Sequence, residues 1–202
     1  DWGVKTLRET GILKTILPDL VWETTAAFDN QMAALTRVKL NWDYRLAAVC
    51  LVNPSHAHEV CRALKVSNTT RKTVTDLVLL RDADLNLVHR QTIFQLMSQV
   101  GAARWADFLA FRAAVEPSEA ALVERLTTQA KNLMAEEVPL KTTALAIDGK
   151  TVMDMLDLKP SALIGLILNG ALAEIWCGRL TNERSDLIAA LPTILAAVQG
   201  ES

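Results

Sequence analysis

The chain has 202 residues, half of them hydrophobic but only 5% aromatic, and a formal net charge of −2 at pH 7. That length suffices for one large domain or two small ones, and the charge excludes a globally basic nucleic-acid binder while leaving room for a local basic patch. Ala and Leu dominate where a sheet protein would be rich in β-branched and aromatic runs, and Cys50, Cys61 and Cys177 lie far apart, as reduced, buried thiols of a cytoplasmic protein would.

Val4 to Leu17 has helical spacing, interrupted around Gly11 and stopped by Pro18. Val21 to Val38 follows, with Phe28, Met32 and Leu35 on one face. Trp42 to Val52 is closed by the turn dipeptide Asn53-Pro54. Ser55 is placed to cap a fourth helix to about Leu64, and Ser67-Asn68 to cap a fifth that carries Val74, Leu77 and Val78. Asn86 to Val100 and Ala102 to Val115 form a pair about Gly101, and Ser118 to Ala135 is amphipathic.

The texture then changes. Glu136 to Lys141 has no helical period and contains Pro139, so a domain boundary is expected there, with a body over 1–137 and a tail over 138–202. Asp148-Gly149-Lys150 opens a short helix to Leu156, and Lys159-Pro160 opens a long one, with Pro160 suited to the first turn. Its apolar positions, among them Ile164, Ile167, Ala171 and Ile175, make a wide core-facing stripe, and Gly178 is a fitting stop. Asn182 is expected to cap a last helix to about Val198, with a kink at Pro192. No segment reads as a strand. The expected fold is all-α, a multi-helical body followed by a small helical tail domain.

Signatures of catalysis are missing. There is no Gly-x-Gly-x-x-Gly and no phosphate-binding loop ending in Gly-Lys-Ser/Thr. Asp82-Ala-Asp84 has the spacing of a two-carboxylate magnesium site, but at a helix end residues two apart diverge. His56-Ala-His58-Glu59-Val60-Cys61 is the densest cluster of ligand-type residues; His58 and Cys61 share a helix face, yet no second pair completes a zinc set, and His89 is isolated. Neither catalytic nor metal-ligating residues are assigned. The most apolar stretch, Ala162 to Cys177, is interrupted by Asn169 and Glu174 and is too short for a bilayer, so no membrane partner is expected. The N-terminus, Asp1-Trp2-Gly3-Val4-Lys5, lacks both the apolar core of a signal peptide and an initiator Met, so the chain is expected to be an excised piece of a longer one.

Two features point to binding. Arg62, Lys65, Arg71 and Lys72 flank the turn at Ser67 with no acid between Val60 and Lys72, so two helix ends would present four positive charges around one corner. Phosphate is the natural partner of such a corner, aided by the helix dipole. The second feature is Asp157-Leu158-Lys159-Pro160-Ser161-Ala162-Leu163-Ile164-Gly165, a tight turn into a helix whose first turns hold small residues. Small residues there let a nucleic-acid backbone approach the exposed amides.

That second feature carries a resemblance. Pro139-Leu140-Lys141, Ala146-Ile147-Asp148-Gly149-Lys150, Leu158-Lys159-Pro160-Ser161-Ala162-Leu163-Ile164-Gly165 and Gly178-Arg179-Leu180-Thr181-Asn182-Glu183 together resemble the C-terminal region of the class II bacterial tRNA nucleotidyltransferases, the CCA-adding enzymes and the related poly(A) polymerases. Upstream, Thr10-Gly11-Ile12-Leu13 and Ile16-Leu17-Pro18-Asp19-Leu20 are similar to the start of that family's helical body, and Arg62-Ala63-Leu64-Lys65-Val66-Ser67-Asn68 with Arg71-Lys72 resembles one of its helix entries.

The resemblance implies a division of labour. A head, absent from this chain, would hold Mg²⁺ on paired carboxylates, and a neck would read the nucleoside triphosphate, so no cofactor is expected in this chain. Body and tail would hold RNA, tRNA in kind, through its sugar–phosphate backbone. By that likeness Lys159, Ser161 and Gly165 would form an RNA-facing turn of the tail, and Arg62, Lys65, Arg71 and Lys72 a basic corner of the body. Two residues depart from the pattern: Ser161 stands where the family usually has Gly, and so does Asp157 before the turn. The tail also holds five basic against seven acidic residues. The alternatives are a helical interaction or dimerisation module without RNA binding and a degenerate HD-type phosphohydrolase, which the missing His-Asp pair disfavours.

Overall fold

The computed structural model describes residues 2–85 and 89–200. Among them are twelve α-helices and no strand: α1 (Trp2–Glu9), α2 (Ile12–Ile16), α3 (Thr25–Arg37), α4 (Trp42–Cys50), α5 (Ala57–Ala63), α6 (Asn68–Leu79), α7 (Arg90–Val100), α8 (Trp105–Val115), α9 (Ala120–Met134), α10 (Gly149–Leu156), α11 (Ala162–Trp176) and α12 (Arg184–Gly200). The fold is all-α, as expected. Gly11, at φ 75°, breaks the first predicted helix into α1 and α2. The expected start of α7 at Asn86 lies outside the described residues.

Three expected helix starts are corrected. Ser55 does not cap α5; it sits in a 3-10 turn, Pro54–His56, and its hydroxyl donates to Asn53 Oδ1 at 2.9 Å. Pro160 precedes α11 rather than opening its first turn, because the extended residue Ser161 is the N-cap. Asn182 does not cap α12, whose first residue is Arg184. Its amide turns the other way, donating to Ala144 O at 3.1 Å and accepting from Ala146 N at 2.9 Å.

Contacts divide the chain into two compact units, 1–86 with 104–127 and 87–103 with 128–202. The aperiodic stretch Glu136 to Lys141 lies inside the second, and α7 and α8 belong to different units.

In the first unit α4 packs on α6, α3 on both α4 and α8, and α5 on α6. Helix α8 is apolar nearly all round, as a buried helix must be; Phe108, Leu109 and Phe111 are enclosed in the core with Met32, Val60 and Val74. Arg112, the one buried charge among the described residues, makes four hydrogen bonds: it forks onto Glu119 (3.0 and 2.6 Å) and donates to Leu80 O and Ala83 O. A buried guanidinium needs such an ion pair and such acceptors to offset its desolvation.

The second unit is aliphatic at its centre. Ile167, Ala171 and Ile175 of α11 pack with Val152 of α10 and with Leu187 and Leu191 of α12. Gly170 lets α12 close in, since a Cβ there would lie 2.8 Å from Ile194 Cγ2. Helix α7 also packs on α11: Phe94 stacks on Trp176, whose Nε1 donates to Pro139 O at 2.8 Å. The end of α11 follows the sequence expectation. Gly178, at φ 75°, donates to Ile175 O and Arg179 to Glu174 O, the Schellman arrangement that satisfies the last carbonyls. No described helix is long and apolar enough to cross a membrane.

Candidate nucleic-acid interface

The basic corner is built by two consecutive helix ends. Helix α5 closes with Lys65 at φ 52°, Val66 donating to Cys61 O (3.2 Å) and Lys65 to Arg62 O (3.0 Å). Two residues later Ser67 opens α6, its Oγ accepting from Thr70 N at 3.1 Å. Lys65 thus occupies the left-handed position that usually falls to Gly, and its exposed side chain stands in the turn with exposed Arg62 just before it. Arg71 and Lys72 follow in the first turns of α6, where the helix dipole adds to their positive field.

All four predicted residues therefore fall in one unit around one turn, although two are engaged. Arg71 donates to Asn68 Oδ1 at 2.7 Å, and Lys72 pairs with Asp76 at 2.9 Å. A fifth cation joins them. Arg104, from the turn preceding α8, reaches Asp76 Oδ2 at 3.3 Å and Thr73 Oγ1 at 3.4 Å. Arg104 has no signature in sequence, because only packing brings it to a residue 28 positions away. With Lys72, Asn68, Thr69 and Thr73 it lines a groove of about 390 Å³.

Lys159, Ser161 and Gly165 lie in the second unit, at the turn from α10 into α11. Helix α10 opens on Asp148, whose Oδ1 accepts from both the amide and the hydroxyl of Thr151 at 2.8 Å. Those bonds hold its carboxyl below the ordinary aspartate range, the backbone bond most of all. Helix α10 closes on Asp157 at φ 51°, with Leu158 donating to Met153 O at 3.1 Å. Gly is the residue that best suits this left-handed position, and Asp is among the few others that visit that region. Lys159, Ser161, Ala162 and Gly165 are all exposed. Ser161 makes no side-chain bond to α11, and among the described residues the amides of Ala162 and Leu163 have no acceptor. A Cβ on Gly165 would meet no atom within 4 Å.

The candidate metal residues do not converge. Cys61 is buried, which pushes its thiol pKa up, whereas His56 is half-buried beside Asp19 and His58 is exposed beside Glu59. Asp82 stands in solvent beside Arg81, and His89 is the extended residue before α7. Among the described residues no three His, Cys, Asp or Glu side chains group as metal ligands would.

In the comparison with known families, the model of tRNA nucleotidyltransferase domain 2 matches residues 35–191, more than three-quarters of the chain. That span includes the basic corner, the groove and the turn into α11. No curated protein and no solved structure matches.

Proposed function

The chain belongs to the tRNA nucleotidyltransferase domain 2 family, and on that premise we propose that it is an RNA-holding body and tail, gripping tRNA by its sugar–phosphate backbone and presenting the 3′ end to a catalytic head. In this reading the head and a neck carry Mg²⁺ and the nucleoside triphosphate, the chemistry is CCA addition or poly(A)-type extension, and the setting is the cytoplasm. The residues of this chain bind and orient; they transfer nothing.

The observation that carries the reading is Gly165. It sits on the solvent side of a 15-residue helix, with open space where its side chain would be. A glycine inside a helix costs about 0.5–1 kcal/mol relative to Ala, and no packing among the described residues offsets that here. Close approach from outside does. A phosphate would find the Ala162 and Leu163 amides open and the Lys159 ammonium beside them, and a Cβ on residue 165 would stand on the same exposed face.

A filter-binding titration with tRNA over a range of salt tests this. Affinity should fall as salt rises, and Arg62→Ala and Lys159→Ala should each weaken binding and flatten that dependence. Gly165→Ala should weaken binding while raising the melting temperature. Binding indifferent to salt and to all three changes would sink the proposal. The alternative of helix-mediated association draws on exposed Met155 and Leu166 near the same turn; it predicts concentration-dependent sedimentation and no affinity for tRNA.

A further inference from the structure

Asp76 stands between two cations that reach it from different elements. Lys72 lies one turn earlier on α6 and donates to it at 2.9 Å; Arg104 comes from the turn before α8 and donates at 3.3 Å. One carboxylate serves both, so positive charge is left over at the groove formed by Asn68, Thr69, Lys72, Thr73 and Arg104. Asp107 adds little opposition, because Lys39 holds it at 2.5 Å. Lys72 keeps 70% of its side-chain surface in solvent and Arg104 keeps 35%, whereas Asp76 keeps 22%. The cations are thus more accessible than the acid that fixes them.

We propose that Lys72 and Arg104 clamp one backbone phosphate of bound RNA in this groove, with Asp76 as the positioning residue that holds both cations at its rim. The proposal rests on the RNA-holding reading and extends it to Arg104. A guanidinium offers two parallel donors to phosphate oxygens, and an ammonium adds a compact charge from the other side. Because Asp76 and Thr73 already fix the Arg104 fork, little side-chain freedom remains to be lost on binding. Exposed Thr69, on the same groove wall, carries a further hydroxyl donor.

The test is a tRNA titration across salt with the full chain and its Arg104→Ala, Arg104→Lys, Lys72→Ala and double-alanine variants. Each alanine should weaken binding roughly tenfold and reduce the salt slope by about one phosphate contact. The double variant should lose less than the product of the two losses, because both side chains act on one phosphate. Arg104→Lys should keep the slope but lose part of the affinity, and it guards against a loss caused by misfolding. Arg125→Ala, removing an exposed charge from α9, should leave the slope unchanged. An unaltered slope in Arg104→Ala, or strictly multiplicative losses in the double variant, overturns the clamp while tRNA binding itself persists. Absence of salt-dependent tRNA binding by the unmodified chain instead overturns the RNA-holding reading, and the clamp with it.

Discussion

Helices α6 and α11 both begin at a serine, and the two starts are finished differently. At α6, Ser67 turns its Oγ onto Thr70 N, and the neighbouring charges are partly engaged, Lys72 by Asp76 and Arg71 by Asn68. At α11, Ser161 makes no such bond, and exposed Ala162 and Gly165 leave bare backbone beside a single lysine. Both ends are electropositive by the helix dipole. The first adds side-chain charge, which acts across a screening length of about 8–10 Å. The second adds amides, which act only at hydrogen-bond contact. A polyanion would be attracted by the first kind of end and fitted by the second.

The largest effects that separate internal from external use of small residues lie on α11 itself. Gly170→Ala drives a Cβ against Ile194, a stiff β-branched neighbour, and should destabilise by about 1–3 kcal/mol. Gly165→Ala should stabilise by about 0.5–1 kcal/mol. Thermal melts that shift in the same direction for both would erase the distinction between the two faces. Next come the serines. Ser67→Ala should cost about 1 kcal/mol, and Ser161→Ala should stay within about 0.5 kcal/mol of the parent; equal costs in urea unfolding would mean that Ser161 caps after all.

Smaller changes sharpen the comparison. Asp157→Gly should stabilise by roughly 0.5 kcal/mol, by relieving a left-handed residue. Lys65→Gly should do the same for the fold yet weaken RNA binding, so melting and binding move in opposite directions. The smallest effect is one of pH. Because hydrogen bonds from Thr151 lower the Asp148 pKa, its contribution is complete above the unfolded aspartate value and is lost as pH falls through the lower folded value. A carboxyl NMR titration should therefore place the Asp148 midpoint below that of an unstructured aspartate; a midpoint at or above it would contradict the bond to Thr151.

Much of the fold was legible because helices write themselves at a period of 3.6. The stripe of α11, the stop at Gly178 and the cap at Ser67 all rest on local spacing, and the structure keeps them. Ser55, Pro160 and Asn182 depart from the expectation because a helix start depends on the backbone angles of one residue, which composition does not reveal. Ser55 and Ser67 look alike in sequence, but only Ser67 takes the extended conformation that turns its hydroxyl onto the helix it precedes. The four basic residues were visible because one turn joins them. Arg104 was not, because its place beside Asp76 depends on how α6 and the start of α8 pack.

Asn182 also fastens one loop to the chain just before α12. Its side-chain amide accepts a hydrogen bond from Ala146 N and donates one to Ala144 O, so it pairs with that loop much as a strand's peptide group would. The bridge needs a donor and an acceptor in one planar group. Deamidation to aspartate would remove the donor and set a carboxylate against the Ala144 carbonyl, so a single hydrolysed amide would unfasten this loop from the chain just before α12.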